Sequence, residues 1–312
     1  MGGFALILAL AVAIAGCTGP AGISRPDVAH GPVDRYLLTT VPFFPQKEFQ
    51  CGPAALAMAL SWSGVPVSPQ ELTPEVFTPS QKGSLQPAMI AAARRHDRIV
   101  YRLSDPKSLS DEIAAGHPVV VLQNLGLSWY PVWHYAVVIG LDFTDGTVIL
   151  HSGTTSHKRI SLKTFEYTWA RSDYWGLLIL PPSLLPAVAA EEDYLRAVGH
   201  LERLGRWDIA AGGYQSALRR WPESLPATIG LGMCRYEQGD LKTAETIFRD
   251  ATLKFPDEGV LFNNLAQVLM DQGRQSEALD AVMRAIRIGG PLKAHFENTL
   301  EEIRTIERHE IE

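Results

Sequence analysis

A spacing of 34 residues constrains the C-terminal part of this 312-residue chain more than any other feature. Gly205, Gly239 and Gly273 recur at it, as do Ala210, Ala244 and Ala278, and Ala217, Ala251 and Ala285. Tyr214, Phe248 and Val282 hold one large apolar position in each unit. Pro222 and Pro256 close two units, and Gly290-Pro291 closes the third. Such a register points to stacked units, each too small to bury its apolar face alone. Small residues let paired helices approach, large ones fill the space between units, and proline ends the second helix.

This pattern resembles the tetratricopeptide repeat, with two antiparallel helices per unit. It predicts three repeats over 191–292: Glu191–Ser224, Leu225–Glu258 and Gly259–Leu292. Residues 293–312 follow as a polar capping helix, which the end of a solenoid requires. Cys234 falls inside a repeat helix and reads as packing. Repeats of this kind usually bind peptides or proteins, so a protein partner is expected; the alternative is a passive stalk. Pro181 to Pro186 is rich in proline and predicts a linker at 183–190 between two independent cores.

At the other end, Phe4 to Ile14 is uncharged, apolar and too short to span a bilayer. It runs into Ile14-Ala15-Gly16-Cys17, which resembles the lipobox of bacterial lipoproteins. The resemblance implies a signal peptide at 1–17, with Cys17 as the lipidated residue. Thr18, directly after Cys17, is not acidic, so the resemblance implies a location in the cell envelope, anchored in the outer membrane and facing the periplasm. Residues 18–32 contain Gly, Pro and Ser and read as a tether. Acidic and basic residues balance from Thr18 to Pro186, so the net charge of −6 arises beyond Ala187. No basic patch suggests nucleic acid.

Between tether and linker lies a first domain, 33–182, centred on Gln50-Cys51-Gly52-Pro53 and the run Ala54 to Leu60. Proline suits the first helical turn, and the run is apolar nearly all round, so it reads as a buried helix ending near Trp62 and Gly64. Cys51 then sits at the helix N-terminus, where free N–H groups and the macrodipole favour a thiolate. The alternative is an inert core cysteine. Val41 to Gln46 reads as extended and Pro66 to Gln81 as loop. Leu85–Arg95 and Ser108–Ala115 read as helices. Strands are predicted at Ile99–Leu103, Val119–Leu122, His134–Leu141, Thr147–Leu150 and Trp175–Leu180, with a helical segment at Leu162–Trp169. Helices first and a mostly antiparallel sheet afterwards indicate an α+β domain ahead of an all-α solenoid.

A thiolate nucleophile needs a base, a group orienting that base, and an oxyanion stabiliser. His96 lies among arginines, His117 precedes a proline and His157 sits in a polar stretch. His134, between Trp133 and Tyr135 at the head of an apolar strand, is the best base. Cys-Gly-Pro opening a buried helix and His-Tyr-Ala-Val-Val opening a strand resemble the bacteriocin-processing cysteine peptidases. These are papain-like enzymes that cut leader peptides after a double glycine, and one branch is fused to helical repeats in an exported lipoprotein. The resemblance covers Val41 to about Leu180. It implies Cys51 as nucleophile, His134 as base and a glutamine before the cysteine as oxyanion donor. Gln46 matches that glutamine, and Gln50 is its rival. Where the family carries Asp-Pro, this chain reads Leu150-His151-Ser152-Gly153. The orienting group is then His151, Ser152 or a backbone carbonyl, or the site is weakened. No CxxC pair, HExxH or Gly-rich phosphate loop occurs, so no metal or cofactor is expected. The expectation is a lipid-anchored cysteine peptidase acting on a peptide or protein. The alternatives are a catalytically weak peptide-binding adaptor, and a transferase or amidase using the same Cys-His pair.

Overall fold

A computed structural model of the protein describes residues 22–26 and 33–311, with side chains described up to residue 305. Cys17 and the predicted signal segment lie outside the described residues. The order of elements is β1 (Arg35–Leu37), α1 (Cys51–Trp62), α2 (Pro69–Val76), β2 (Phe77–Thr78), β3 (Gly83–Ser84), α3 (Gln86–Arg95), β4 (Ile99–Leu103), α4 (Pro106–Ala114), β5 (Val119–Asn124), β6 (Trp133–Asp142), β7 (Thr147–Ser152), β8 (Thr155–Ser161), α5 (Leu162–Ala170) and β9 (Gly176–Leu180). The helical part follows as α6 (Glu191–Glu202), α7 (Trp207–Arg220), α8 (Leu225–Glu237), α9 (Leu241–Lys254), α10 (Gly259–Asp271), α11 (Gln275–Ile288) and α12 (Lys293–Ile311).

One antiparallel sheet runs β4-β9-β5-β6-β7-β8, and β1 adds to β6 beyond the end of β5. Its central strands are buried on both faces, which explains the unbroken apolar run Val119 to Leu122. One face packs on α1 and α3 through Val120, Val137, Ile139, Ile149, Leu177 and Ile179. Helix α1 lies wholly within this layer, so its apolar residues need no polar stripe. Gly52 is required there: a Cβ on it would stand 2.2 Å from Ser84 Oγ.

The opposite face packs on α4, α5 and the first repeat in a single core. Ile99, Tyr101, Leu178 and Leu180 of the sheet meet Tyr194, Val198, Leu201 and Ala210 of α6 and α7. The expectation of two independent cores is therefore corrected. The predicted linker is also no free tether. Glu112 accepts a hydrogen bond from the Val188 N–H at 3.0 Å, Ser216 donates to Pro182 O at 2.7 Å, and Arg219 and Arg220 grip the carbonyls of Ser183, Pro186 and Ala187. Prolines kept this stretch out of helix and sheet, and its backbone groups found partners on α4 and on the repeats instead.

The helix pairs begin at Glu191, Leu225 and Gly259, where the repeat register placed them. Tyr214 and Phe248 fill the gaps between helices against Gly230 and Gly232, whose missing Cβ atoms leave room for the rings. Five sheet-domain elements were not expected: β1, α2, β2, β3 and β8. The stretch read as loop contains α2, opened by a Ser68–Glu71 capping box with Pro69 at the first turn. Strand β8 has six exposed positions of seven and lacks an apolar alternation.

Candidate active site

The β5–β6 pairing sets the geometry around Tyr135. Tyr135 stands opposite Leu122, and the Leu122 N–H is committed to Trp175 O on the far side of β5. Tyr135 therefore forms no hydrogen bond to β5, and its N–H and C=O point to the other edge of β6. That edge is open here, because β7 pairs only from Val137↔His151 onward. Two side chains from the loop before α1 and from α1 itself fill the gap. The Tyr135 N–H points at the Cys51 sulfur. The Tyr135 C=O accepts from Gln46 Nε2 at 3.1 Å. Gln46 Oε1 accepts from the Gly153 N–H at 3.0 Å, and the Gln46 N–H donates to Gly153 O at 2.9 Å. The Gln46 amide thus carries the β6–β7 ladder one rung further. Gln50 is turned away, since its Oε1 accepts from Thr73 of α2 at 2.7 Å.

His134 precedes Tyr135 and projects to the opposite face. Its Nε2 lies 2.9 Å from Ser152 Oγ, while Nδ1 has no hydrogen-bond partner among the described residues. Strand alternation separates the two neighbours at the end of β7. Ser152 reaches the His134 ring, and His151 points the other way. His151 Nε2 bonds Val41 O at 3.2 Å, its Nδ1 accepts from the His157 N–H at 3.3 Å, and Phe43 and His157 pack on its ring. The reading of His151 as the group that orients His134 is corrected: it holds the Val41–Gln46 loop instead. Among the described residues, Cys51 and Cys234 are free thiols, and no hydrogen bond joins Cys51 Sγ to the His134 ring.

Electrostatics leave both groups neutral at physiological pH. Burial raises the Cys51 thiol above its ordinary range, although backbone N–H groups of Tyr135, Gly52 and Cys51 itself pull the other way. The expected thiolate at the helix N-terminus is thus outweighed by desolvation. Burial also pushes His134 down to about 4, with a smaller contribution from the Lys158 charge. A neutral imidazole with a free Nδ1 can accept a proton. A buried neutral thiol can give one.

The Gln46 bridge makes a separate prediction. Gln46→Ala should leave Tyr135 O and the Gly153 N–H unpaired at the strand end, costing about 1–3 kcal/mol of stability. If its second Nε2–H also serves an oxyanion, turnover should drop by about 10²–10³. Thermal melts and steady-state kinetics on one variant separate the two effects: a purely structural Gln46 lowers the melting temperature and leaves the rate near wild type.

Among the described residues no group of three or more His, Cys, Asp or Glu could hold a metal, and no helix is long and apolar enough to cross a membrane. Two contributors escaped sequence reasoning. One is the Tyr135 backbone, which only strand register reveals. The other is Ser84, whose buried Oγ has no partner and fills the space left by Gly52.

Residues 38–175 match the Peptidase_C39 like family, and residues 195–259 match the tetratricopeptide repeat. No curated protein matches the chain. Among solved structures, a protein described as a C39-like peptidase from Bacillus anthracis is 19% identical and covers 47% of this chain and 98% of its own, with a TM-score of 0.41. The peptidase domain of Streptococcus ComA, a bifunctional ABC transporter, is 22% identical and covers 45% and 98%, with a TM-score of 0.38. PcrH from Pseudomonas aeruginosa is 20% identical and covers 36% and 91%, with a TM-score of 0.35. The chain thus carries a Peptidase_C39-like domain followed by tetratricopeptide repeats.

Proposed function

We propose that this protein is a cysteine peptidase of the cell envelope, anchored by a lipid on Cys17, with repeats that recruit substrate or partner. The observation that carries the reading is the arrangement around Tyr135. The Tyr135 N–H points at the Cys51 sulfur, and the preceding residue is a histidine pinned through Nε2 with Nδ1 free. The Cys51 thiol proton passes to His134 Nδ1, and the sulfur attacks the scissile carbonyl carbon. The oxyanion is met by the Cys51 N–H and the second N–H of Gln46 Nε2. Imidazolium returns the proton to the leaving amine. Water, deprotonated by His134, then hydrolyses the thioester. On the repeats, a groove of about 630 Å³ is lined by Trp207, Tyr214, Leu225, Ile229 and Met233, apolar side chains suited to anchoring a peptide.

A peptide-binding adaptor is the second reading, favoured by one observation: Ser152, a neutral group, orients His134 where a carboxylate would stabilise an imidazolium better. Digestion of a mixed peptide library by the full chain separates the two. Peptidase action should hold at neutral pH and fall in acid as His134 protonates at about 4. The sign follows from the base role: acid charges His134 and removes it. Peptides retained but never cut at any pH would identify the adaptor.

A further inference from the structure

The connection between β5 and β6 is an uncharged hairpin immediately ahead of His134. From Asn124 to His134 the chain has no Asp, Glu, Lys or Arg. Leu125, Leu127, Val132 and Trp133 are about half exposed, Tyr130 is 69% exposed and Trp129 is 79% exposed. The hairpin is firmly held. Leu127 and Tyr130 bridge each other, and Asn124 Oδ1 accepts from the N–H groups of Gly126 and Val132 at 2.9 Å. Arg171, at the end of α5, donates to the carbonyls of Asn124 and Gly126, and its guanidinium lies 4.3 Å from the ring of exposed Tyr167. A rigid tip of Trp, Tyr and Leu with no charge cannot be explained by the fold's own packing.

The start of the described chain lies against the middle of α5. Gly22 presses on α5: a Cβ on it would stand 3.1 Å from the carboxylate of Glu166, the residue before Tyr167. Five residue steps separate Cys17 from Gly22. Fully extended they reach roughly 17 Å. A lipid on Cys17 would therefore enter the bilayer within that distance of α5, which Arg171 ties to the hairpin.

We propose that the hairpin Leu125–Trp133, with Tyr167 beside it, seats in the interface of a phospholipid bilayer and turns the Cys51–His134 site toward the membrane surface. Tryptophan and tyrosine partition to that depth because an apolar ring and a polar N–H or O–H are both satisfied there. A single acyl chain gives only reversible binding, and a second contact makes it stable. The inference borrows from the proposed lipid anchor only the five-residue distance, and its test uses no lipidated protein.

Residues 18–312 keep every described residue and suit co-sedimentation with vesicles of phosphatidylethanolamine and phosphatidylglycerol, and of phosphatidylcholine alone. The wild-type sequence should sediment with both, with little change in high salt. Trp129→Ser with Tyr130→Ser should lower the partition at least about tenfold, while alkylation of Cys51 stays unchanged. Equal binding by the double variant, or no binding by the wild type, overturns the proposal. So does a dimer on gel filtration that the double variant abolishes without any vesicle binding, which would make the hairpin a contact between two copies. A raised KM for peptides in the double variant with vesicle binding intact would likewise overturn it and assign the hairpin to substrate. Peptide cleavage without vesicles is read separately, so loss of the peptidase reading leaves this result standing.

Discussion

Replacing Cys51 by alanine is expected to abolish peptide turnover, and His134→Ala should cost nearly as much. Nucleophile and base act as a unit, so losing either removes the whole effect. Ser152 is the informative position. Ser152→Ala removes one neutral hydrogen bond from His134 Nε2, worth about 1 kcal/mol or roughly a fivefold fall in rate. Ser152→Asp places a carboxylate against the same nitrogen. An adjacent negative charge favours imidazolium, so the acid limb of the rate profile should move up from about 4. The Cys51–His134 pair should then shift toward thiolate and imidazolium, and alkylation of Cys51 near pH 6 should accelerate. His151→Ala should lower the melting temperature by freeing the Val41–Gln46 loop, with turnover falling far less than in the Cys51 or His134 variants. Should Cys51→Ala keep full activity, Cys51 is not the nucleophile, and the fold is present without that chemistry.

The same site shows which features sequence can carry. Cys51 at a helix start and His134 at a strand start were legible because each sits beside a local signal, Gly52-Pro53 and an apolar β-branched run. Whether His151 or Ser152 met His134 was not legible. The choice depends on which face of β7 each residue occupies at the point where its pairing with β6 ends, and two adjacent polar residues carry no pattern that tells the faces apart. The charge state was misjudged for a related reason. A helix N-terminus is visible in sequence, whereas the burial that outweighs it comes from the packing of α1 against the sheet core. The repeat register was legible because a 34-residue period compounds many weak signals. Helix α2 could have been found from Ser68 and Glu71 around Pro69. Strand β8 could not, because an exposed edge strand built from Thr155, Ser156, His157, Lys158 and Arg159 buries nothing. The docking of α6 on β4 was equally hidden. Each element alone reads as amphipathic, and neither sequence names the other as its partner.

That docking makes truncation after Pro182 a severe change. The cut removes α6 and α7 from one face of the sheet and lays bare Ile99, Tyr101, Leu178 and Leu180, together with the buried carboxylate of Glu112. Re-exposing four large apolar side chains costs about 1.5–3 kcal/mol each. The sum rivals the roughly 5–15 kcal/mol by which a whole domain is stable. Strand β4, already the edge of the sheet, would then have one apolar face in water, a template for aggregation. Residues up to 182 are therefore expected to aggregate or to lose their near-ultraviolet circular dichroism. A chain cut after Ser224 keeps α6 and α7 and should retain a cooperative melt, since most of the remaining repeats' buried residues lie in a separate core around Phe248, Leu265 and Phe296. If the shorter fragment instead melts cooperatively at the temperature of the longer one, the first repeat does not complete the sheet domain. The repeats would then be a module that merely rests on it.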